Sequence, residues 1–254
     1  MRAPRGGSAL LVAVVSATLA LALPAGPAPA GNTAGDDVEM VEVPAGAFMM
    51  GSADADADPD EQPVARIFVD TFRIDKVEVT NRRYLRCIEA GRCTVPAGGD
   101  PAERARAEHP VTVLSWRQAD AYCRWAGKRL PTEAEWEKAA RGPDGRRYPW
   151  GEAFAPERAH AGYTLGLSPV GQHPAGASPY GVLDMAGSVW EWTSSLYRPY
   201  PYDARDGRED PEARGAWVNG GSWYYGPWYV RSTDRATADQ GYRRVRDLGV
   251  RCAR

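Results

Sequence analysis

The sequence predicts one loop-rich domain in which short strands and a few short helices pack around aromatic side chains. The 254 residues include 9 Trp and 12 Tyr but only 4 Phe, together with 27 Gly and 21 Pro. Because glycine and proline mark turns, aromatic residues spread between many turns indicate loops packed on aromatic rings, not a framework of long helices. A chain of this length can bury one sizeable core, which allows a single domain.

Residues 1–30 have the pattern of a secretory signal peptide. Arg2 and Arg5 form a basic start, an apolar run extends over 9–23, and Ala28-Pro29-Ala30 is a small-x-small cleavage site. The apolar run is short for a membrane span, and an uncleaved anchor is the alternative. Cleavage would leave 254 − 30 = 224 residues without a membrane span and change the net charge from −2 to −4. We therefore expect a secreted, periplasmic or cell-surface protein, and no nucleic-acid partner.

The remaining chain is divided into a flexible leader over 31–40 and one domain over 41–254. Capping residues mark three helices: Thr80 begins the first, and capping boxes at Ser115 and Thr132 begin the others. From residue 147 onward, turns and short strands dominate. The predicted elements are two short strands within 41–52, strands over 64–69 and 72–77, and helices over 80–90, 116–126 and 133–141.

The segment 54–61 carries alternating aspartates and ends on Glu61. This alternation is similar to the start of an EF-hand calcium loop. However, Pro59 stands where that loop requires glycine, and Ala65 where it requires its last glutamate. We interpret the segment as a solvated acidic loop.

Four cysteines in an exported chain are expected to form disulfides, for which three connectivities are possible. Cys87 and Cys93 are close in sequence, so a local bridge between them is the simplest. Cys123 and Cys252 would then tie an early helix to the C-terminal segment.

The stretch 181–192 packs two carboxylates, two glycines and two tryptophans into twelve residues. Asp184 and Glu191 flank a glycine-containing bend, where carboxylates and backbone carbonyls could converge on a hard cation such as calcium. From these residues alone, the simpler interpretation is a turn before a core strand, with Glu191 hydrogen-bonded to nearby backbone.

Several segments together resemble the sulfatase-modifying-factor, or formylglycine-generating-enzyme, domain family. They occur in the family's order and cover nearly the whole mature chain. The segments are Pro44-Ala45-Gly46 with Met50-Gly51-Ser52, Glu78-Val79-Thr80-Asn81, His109-Pro110-Val111, 121–137, Tyr148-Pro149-Trp150-Gly151, 181–192, Gly220-Gly221-Ser222-Trp223 and 248–252. The resemblance implies an α+β fold, a loop-rich variant of the C-type-lectin-like fold, with a disulfide between Cys123 and Cys252.

The resemblance also implies a structural calcium site in the stretch 181–192. Asp184 and Glu191 would supply carboxylates, and Gly187 and Val189 would supply backbone carbonyls. Ser188 stands where the family usually has Asn. The family's second calcium loop corresponds to residues 160–174, which contain no carboxylate, so we expect that second site to be absent.

Enzymes of this family convert a sulfatase cysteine to formylglycine with two cysteines that bind copper(I). Alignment on the Gly-Gly-Ser-Trp motif places Tyr225 and Val230 at those positions, and Asn219 where an Arg is usual. Copper(I) requires soft donors, which neither residue offers. We therefore expect no copper and no formylglycine generation. The family activity is that of an oxidoreductase, and whether this domain is an enzyme is left open.

An aromatic cleft is the feature that remains at this position. It would be lined by Trp190, Ser222, Tyr225, Trp228 and Tyr229, with Ser222 as the retained polar group and Trp190 itself belonging to the core. Such a groove suits an extended peptide or a glycan as partner. A divergent enzyme and a lectin-like binding module without chemistry rank equally, ahead of a true formylglycine-generating oxidase with a modified site.

Overall fold

A four-stranded sheet carries Trp190 and Glu191 on one of its strands, and most of the other candidate site residues lie in turns outside its strands. The computed structural model describes residues 36–98, 101–164, 166–210, 216–238 and 246–254, so the predicted signal peptide lies outside the described part. The strands are β1 Met40–Val43, β2 Gly46–Met50, β3 Ala65–Val69, β4 Phe72–Asp75, β5 Trp190–Leu196, β6 Ala216–Asn219, β7 Arg235–Ala238 and β8 Leu248–Gly249; the helices are α1 Asn81–Glu89, α2 Pro101–Arg104, α3 Trp116–Trp125 and α4 Glu133–Arg141. The main sheet has the order β7-β6-β5-β8, in which only β8 runs parallel to its neighbour, whereas β1 with β4 and β2 with β3 form separate antiparallel pairs.

The three long helices begin at the residues that the capping signals indicate. Thr80 accepts a hydrogen bond from the backbone N–H of Arg83, and complete capping boxes form at Ser115 and Thr132. These caps satisfy backbone donors that have no partner within the first turn of a helix. The predicted α+β fold class, with short helices and much irregular structure, is confirmed.

Helix α4 lies at the centre of the domain, and all of its side chains are buried, including the charged ones. Lys138 donates through Nζ to the carbonyls of Pro44, Gly46 and Val69, at 2.7, 3.0 and 3.3 Å. Arg141 similarly donates to the carbonyls of Met49 and Gly51. Buried backbone carbonyls need donors, so Lys138 and Arg141 supply donors to carbonyls of β2, of β3 and of the residues that flank β2.

Both predicted disulfides are present. Cys87 is bonded to Cys93, and Cys123 of α3 is bonded to Cys252 in the C-terminal segment. The second bridge lies in the largest buried cluster, beside Trp190 and Tyr122. No helix within the described ranges is long and apolar enough to cross a membrane.

The leader that we expected to be flexible is packed from Asp36 onward. The side chain of Asp36 is only 2% exposed and pairs with Arg83 at 2.6 Å and Lys128 at 2.5 Å. Asp75 of β4 accepts from the same two cations, at 2.9 and 2.7 Å. Although burial favours a neutral Asp36, hydrogen bonds and charges from Arg83 and Lys128 lower the pKa of its carboxyl group. Within the segment 31–40, where we expected a flexible leader, Asp36 therefore packs against the domain.

Candidate functional site

The turn before β5 has a backbone that requires glycine at its centre. Asp184 and Ser188 both adopt φ +58°, and Gly187 adopts φ +87°. A Cβ atom on Gly187 would lie 2.5 Å from the carbonyl oxygen of His160. The left-handed region strains residues other than Gly, and Asn tolerates it better than Ser. The turn is therefore tightly constrained, and Ser188 is a costlier occupant than Asn would be.

Glu191 is held by side chains. Its Oε2 accepts from Arg251 Nε at 2.6 Å and from Trp136 Nε1 at 2.7 Å, and its Oε1 accepts from Arg251 Nη2 at 2.7 Å. All of these groups are fully buried. The interpretation of Glu191 as bonded to nearby backbone is therefore wrong, because an arginine sixty residues away supplies its donors.

A second buried carboxylate, which sequence reasoning missed, faces the same region. Glu78 is 0% exposed, and neither of its oxygens has a hydrogen-bond partner among the described residues. Burial and the nearby charge of Asp184 raise its pKa well above the usual range, while the charge of Arg251 acts in the opposite direction. Glu78 belongs to one of the segments that carry the family resemblance, and that segment is the signal that could have drawn attention to it.

The charges around this turn do not balance within the described residues. Glu78, Asp184 and Glu191 can supply three negative charges, and Arg251 supplies one positive charge. A divalent cation would neutralise the remaining two charges and give Glu78 a partner. The residues present therefore fit a calcium ion in charge and donor type, with the difference that both oxygens of Glu191 are already bonded to Arg251.

The Gly-Gly-Ser-Trp motif forms a buried turn next to β6. Ser222 is 0% exposed and donates through its hydroxyl to Asp247 Oδ2 at 2.6 Å. Trp190 is 1% exposed and belongs to the core, as expected. Ser222 therefore lies beneath the surface that we expected it to line.

Tyr225 and Val230 occupy different environments. Tyr225 is partly buried and packs edge-on against Trp190, with 5.9 Å between ring centroids. Val230 is 0% exposed and packs in an apolar cluster with Tyr148 and Ala186. The two disulfides together account for all four cysteines. Neither position can therefore contribute a thiolate to a metal or to a reaction.

Four tyrosines form a continuous aromatic surface beside this turn, which we call the tyrosine surface: Tyr163, Tyr224, Tyr225 and Tyr229. Neighbouring ring centroids lie 6.0, 5.7 and 5.1 Å apart along the series. Tyr163, Tyr224 and Tyr229 are 67%, 55% and 41% exposed. The segments 161–164 and 222–230 that carry these rings contain no charged residue.

Tyr163 was not among the predicted cleft residues. Its loop is held against the motif by hydrogen bonds from Gly162 N–H to the Tyr225 carbonyl and from Thr164 N–H to the Trp223 carbonyl, at 2.7 and 3.2 Å. Tyr163 itself adopts φ +62°, which is uncommon for an aromatic residue. The loop 160–174, where we expected the family's second calcium site to be absent, thus contributes a ring to the surface.

Trp228, a predicted cleft residue, makes its observed contacts elsewhere. Its Nε1 donates to Asp58 Oδ2 at 3.2 Å, and the guanidinium groups of Arg231 and Arg147 lie 3.9 and 5.7 Å from its ring. Of the five predicted cleft residues, Tyr225 and Tyr229 are therefore in direct ring contact with each other, Trp190 and Ser222 are buried, and Trp228 is held by charged groups.

The fold and the site define an α+β domain of the C-type-lectin-like class whose surface at this turn is built from tyrosines. The sulfatase-modifying factor enzyme 1-like domain, the FGE-sulfatase family, matches residues 27–254. The chain belongs to this family, and the resemblance found in the sequence is confirmed.

Relatives of this chain include both active and inactive proteins. Inactive C-alpha-formylglycine-generating enzyme 2 of Bos taurus is 35% identical in an alignment of length 228 that covers 67% of this chain and 75% of the relative. The formylglycine-generating enzyme of Mus musculus is 30% identical in an alignment of length 297 that covers 91% of this chain and 77% of the relative. The structure of PvdO from Pseudomonas aeruginosa matches with a TM-score of 0.72 at 27% identity, covering 85% of this chain and 94% of PvdO. Family membership alone therefore does not decide activity.

Proposed function

We propose that this protein is a divergent formylglycine-generating-enzyme-like domain that does not oxidise cysteine with copper and that binds an extended peptide or glycan on its tyrosine surface. The observation that carries the proposal is the pair Tyr225 and Val230 at the positions of the copper-binding cysteines. Val230 is 0% exposed among apolar side chains, and Tyr225 presents a phenol, which is not a soft donor for copper(I).

The tyrosine surface supports a binding role. Large exposed aromatic groups are uncommon on a surface that contacts only water, and a contiguous group marks an interaction site. Tyrosine supplies rigid contact area and a hydroxyl group at low entropic cost. The positive φ of Tyr163 is consistent with this role, because strained residues cluster at functional sites.

Binding is tested by screening the purified protein against glycan and extended-peptide arrays, followed by titration of the strongest ligand. Tyr224→Ala and Tyr163→Ala should weaken binding at least about tenfold, in line with the loss of an aromatic contact residue. Phe68→Ala, at a 65% exposed position on β3, is the matched control and should leave the affinity unchanged. Equal affinity in all of these variants would place binding elsewhere, and binding only to glycans or only to peptides would identify the partner class.

We also propose that the turn at 184–191 holds one structural calcium ion, through Asp184, Gly187, Val189 and Glu191, with Glu78 as a further carboxylate. The unpaired oxygens of Glu78 support this proposal. Calcium that binds only the native state should raise the melting temperature of the wild-type protein by mass action. Glu191→Gln should reduce that rise, and an unchanged calcium dependence would contradict the site.

We extend the proposal to location and treat residues 1–30 as a cleaved signal peptide that exports the protein. The two disulfides support this placement, since such bonds persist in oxidising compartments. Mass spectrometry of protein recovered from the medium or periplasm should find Gly31 at the N-terminus. Full-length protein retained in the membrane would instead indicate an uncleaved anchor.

A further inference from the structure

The acidic segment 54–61 does not remain in solvent along its whole length. Asp56 stays exposed and pairs with Arg147 at 2.8 Å. After Pro59 the chain forms a short 3-10 turn that ends on Glu61, which is 0% exposed. The expectation of a solvated loop is therefore wrong at this end of the segment.

The buried carboxylate of Glu61 lies close to two other carboxylates. Carboxylate oxygens of Asp58, Glu61 and Asp234 lie within 4.8 Å of one another. Asp234 comes from the turn before β7 and is 5% exposed. We call these three residues the acidic cluster. Asp58 is about half-exposed, whereas Glu61 and Asp234 are buried, and like charges at this separation repel most strongly where water is excluded.

One arginine opposes these charges, and its guanidinium is directed at Glu61. Arg231 Nη1 and Nη2 donate to the two oxygens of Glu61 at 2.8 and 2.5 Å, and Arg231 lies 3.6 Å from Asp58. The Thr233 hydroxyl also donates to Glu61. Glu61 is thus satisfied by groups that leave Asp234 without comparable donors.

Asp234 is the unsatisfied member of the acidic cluster. Its Oδ1 approaches Arg231 only to 4.0 Å, and its Oδ2 is buried without a hydrogen-bond partner among the described residues. Three carboxylates against one guanidinium leave two negative charges. A buried carboxylate that has an unpartnered oxygen and lies within 4.8 Å of two other carboxylates is the arrangement expected around a missing positive charge.

We propose that the acidic cluster binds one hard divalent cation of the calcium type, with Asp58, Glu61 and Asp234 as its protein ligands. The donors are all oxygen atoms, with neither imidazole nor thiolate, which favours calcium or magnesium over zinc and copper. The site is separate in sequence and in its ligands from the turn at 184–191. An ion here joins the acidic segment to the turn before β7, which supplies Asp234 and follows the turn Pro227–Val230 that carries Tyr229 of the tyrosine surface.

Trp228 provides a local reporter for this site. Its indole donates to Asp58, so excitation of Trp228 should sensitise the emission of terbium(III), a luminescent substitute for calcium. The titration uses purified protein that has been treated with EDTA and desalted, in an Asp184→Asn background that removes one ligand from the other proposed site. We expect saturable terbium emission that added calcium displaces.

Asp234→Asn tests the ligand directly, because it keeps the shape of the side chain and removes its charge. The apparent affinity for terbium and calcium should fall at least about tenfold, since charge count sets the affinity of such sites. Trp228→Phe should dim the emission but keep the rise in melting temperature caused by calcium. If Asp234→Asn folds poorly, Asp58→Asn at a half-exposed position should weaken the affinity in the same direction.

Two results would overturn the proposal. One is terbium binding of equal affinity with and without Asp234→Asn. The other is no sensitised emission and no calcium-dependent rise in melting temperature in the Asp184→Asn protein, which would mean that Asp234 is held neutral by a proton instead of a cation.

Discussion

Individual residues in the turn before β5 limit what the sequence can tolerate. Gly187 combines a positive φ with a close approach to the carbonyl of His160. Gly162 has a similar φ of +90° but no neighbouring atom within 4 Å of a built Cβ. Substitution of Gly162 therefore tests backbone strain alone, whereas substitution of Gly187 tests backbone strain together with steric overlap.

Gly187→Ala should destabilise the protein more than Gly162→Ala does. Backbone strain of about 1–3 kcal/mol is common to both variants, and only Gly187→Ala adds a clash with backbone at 2.5 Å. Urea denaturation of both variants measures the difference. Equal free energies of unfolding would mean that the turn adjusts freely and does not constrain the candidate calcium site.

Glu133 is a buried residue that should make stability depend on pH. Burial raises its pKa from 4.5 to about 8, against the opposing charge of Arg235. The native state therefore retains a proton that the unfolded state releases. Its contribution is fully present below about pH 4.5 and is lost as pH rises toward 8.

Glu133→Gln should remove this contribution to the pH dependence. The free energy of unfolding of the variant, relative to wild type, should rise between pH 5 and 8 by up to about 1.4 kcal/mol per pH unit. Glu152→Gln, at an exposed position, controls for the loss of a carboxylate at the surface. A difference from wild type that stays constant over this range would contradict a raised pKa at Glu133.

At the scale of elements, helix α4 stabilises the neighbouring backbone by donating hydrogen bonds from its buried side chains to backbone carbonyls. Lys138→Met keeps the length of the side chain but leaves the carbonyls of Pro44, Gly46 and Val69 without their donor. We expect a loss of about 2–4 kcal/mol in the free energy of unfolding. Lys76→Met, which removes a partly exposed ion pair with Glu39, should cost less than about 1 kcal/mol. Equal losses in the free energy of unfolding for the two variants, measured by chemical denaturation, would show that the hydrogen bonds of Lys138 do not stabilise this region.

The disulfide between α3 and the C-terminal segment acts on the unfolded chain. Its cysteines are 129 residues apart, whereas Cys87 and Cys93 are 6 apart. Loop-closure entropy predicts that replacing both Cys123 and Cys252 by Ala costs about 5 kcal/mol, and that replacing Cys87 and Cys93 costs about 2 kcal/mol. Calorimetry of the two double variants tests the order, and a larger loss for the shorter loop would contradict it.

At the scale of the whole molecule, local signals could be predicted and distant partners could not. The caps of α1, α3 and α4 were predictable because each uses residues within one helical turn. The burial of Glu61 was not predictable, because its partner Arg231 is 170 residues away. The same reason applies to Tyr163 and Asp36, whose contacts come from distant segments.

In the candidate site too, some residues could be placed from a local motif and others could not. Tyr225 and Val230 could be placed from the Gly-Gly-Ser-Trp motif, which is a continuous stretch of sequence. The contacts of Trp228 with charged groups and the exposure of Tyr224 depend on how the turn Pro227–Val230 packs, which no local pattern encodes. The family motif therefore predicted where the surface lies, and the structure was needed to identify the residues that form it.

The claim that this family member lacks copper-dependent oxidation is tested most directly by product analysis. Purified protein is incubated with copper(I), oxygen and a sulfatase-type peptide that carries Cys-x-Pro-x-Arg, with the mouse formylglycine-generating enzyme as positive control. With Tyr225 and Val230 in place of the thiolates, we predict that mass spectrometry will find the peptide cysteine intact while the control produces the aldehyde. Loss of the thiol with formation of formylglycine by this protein would contradict the account.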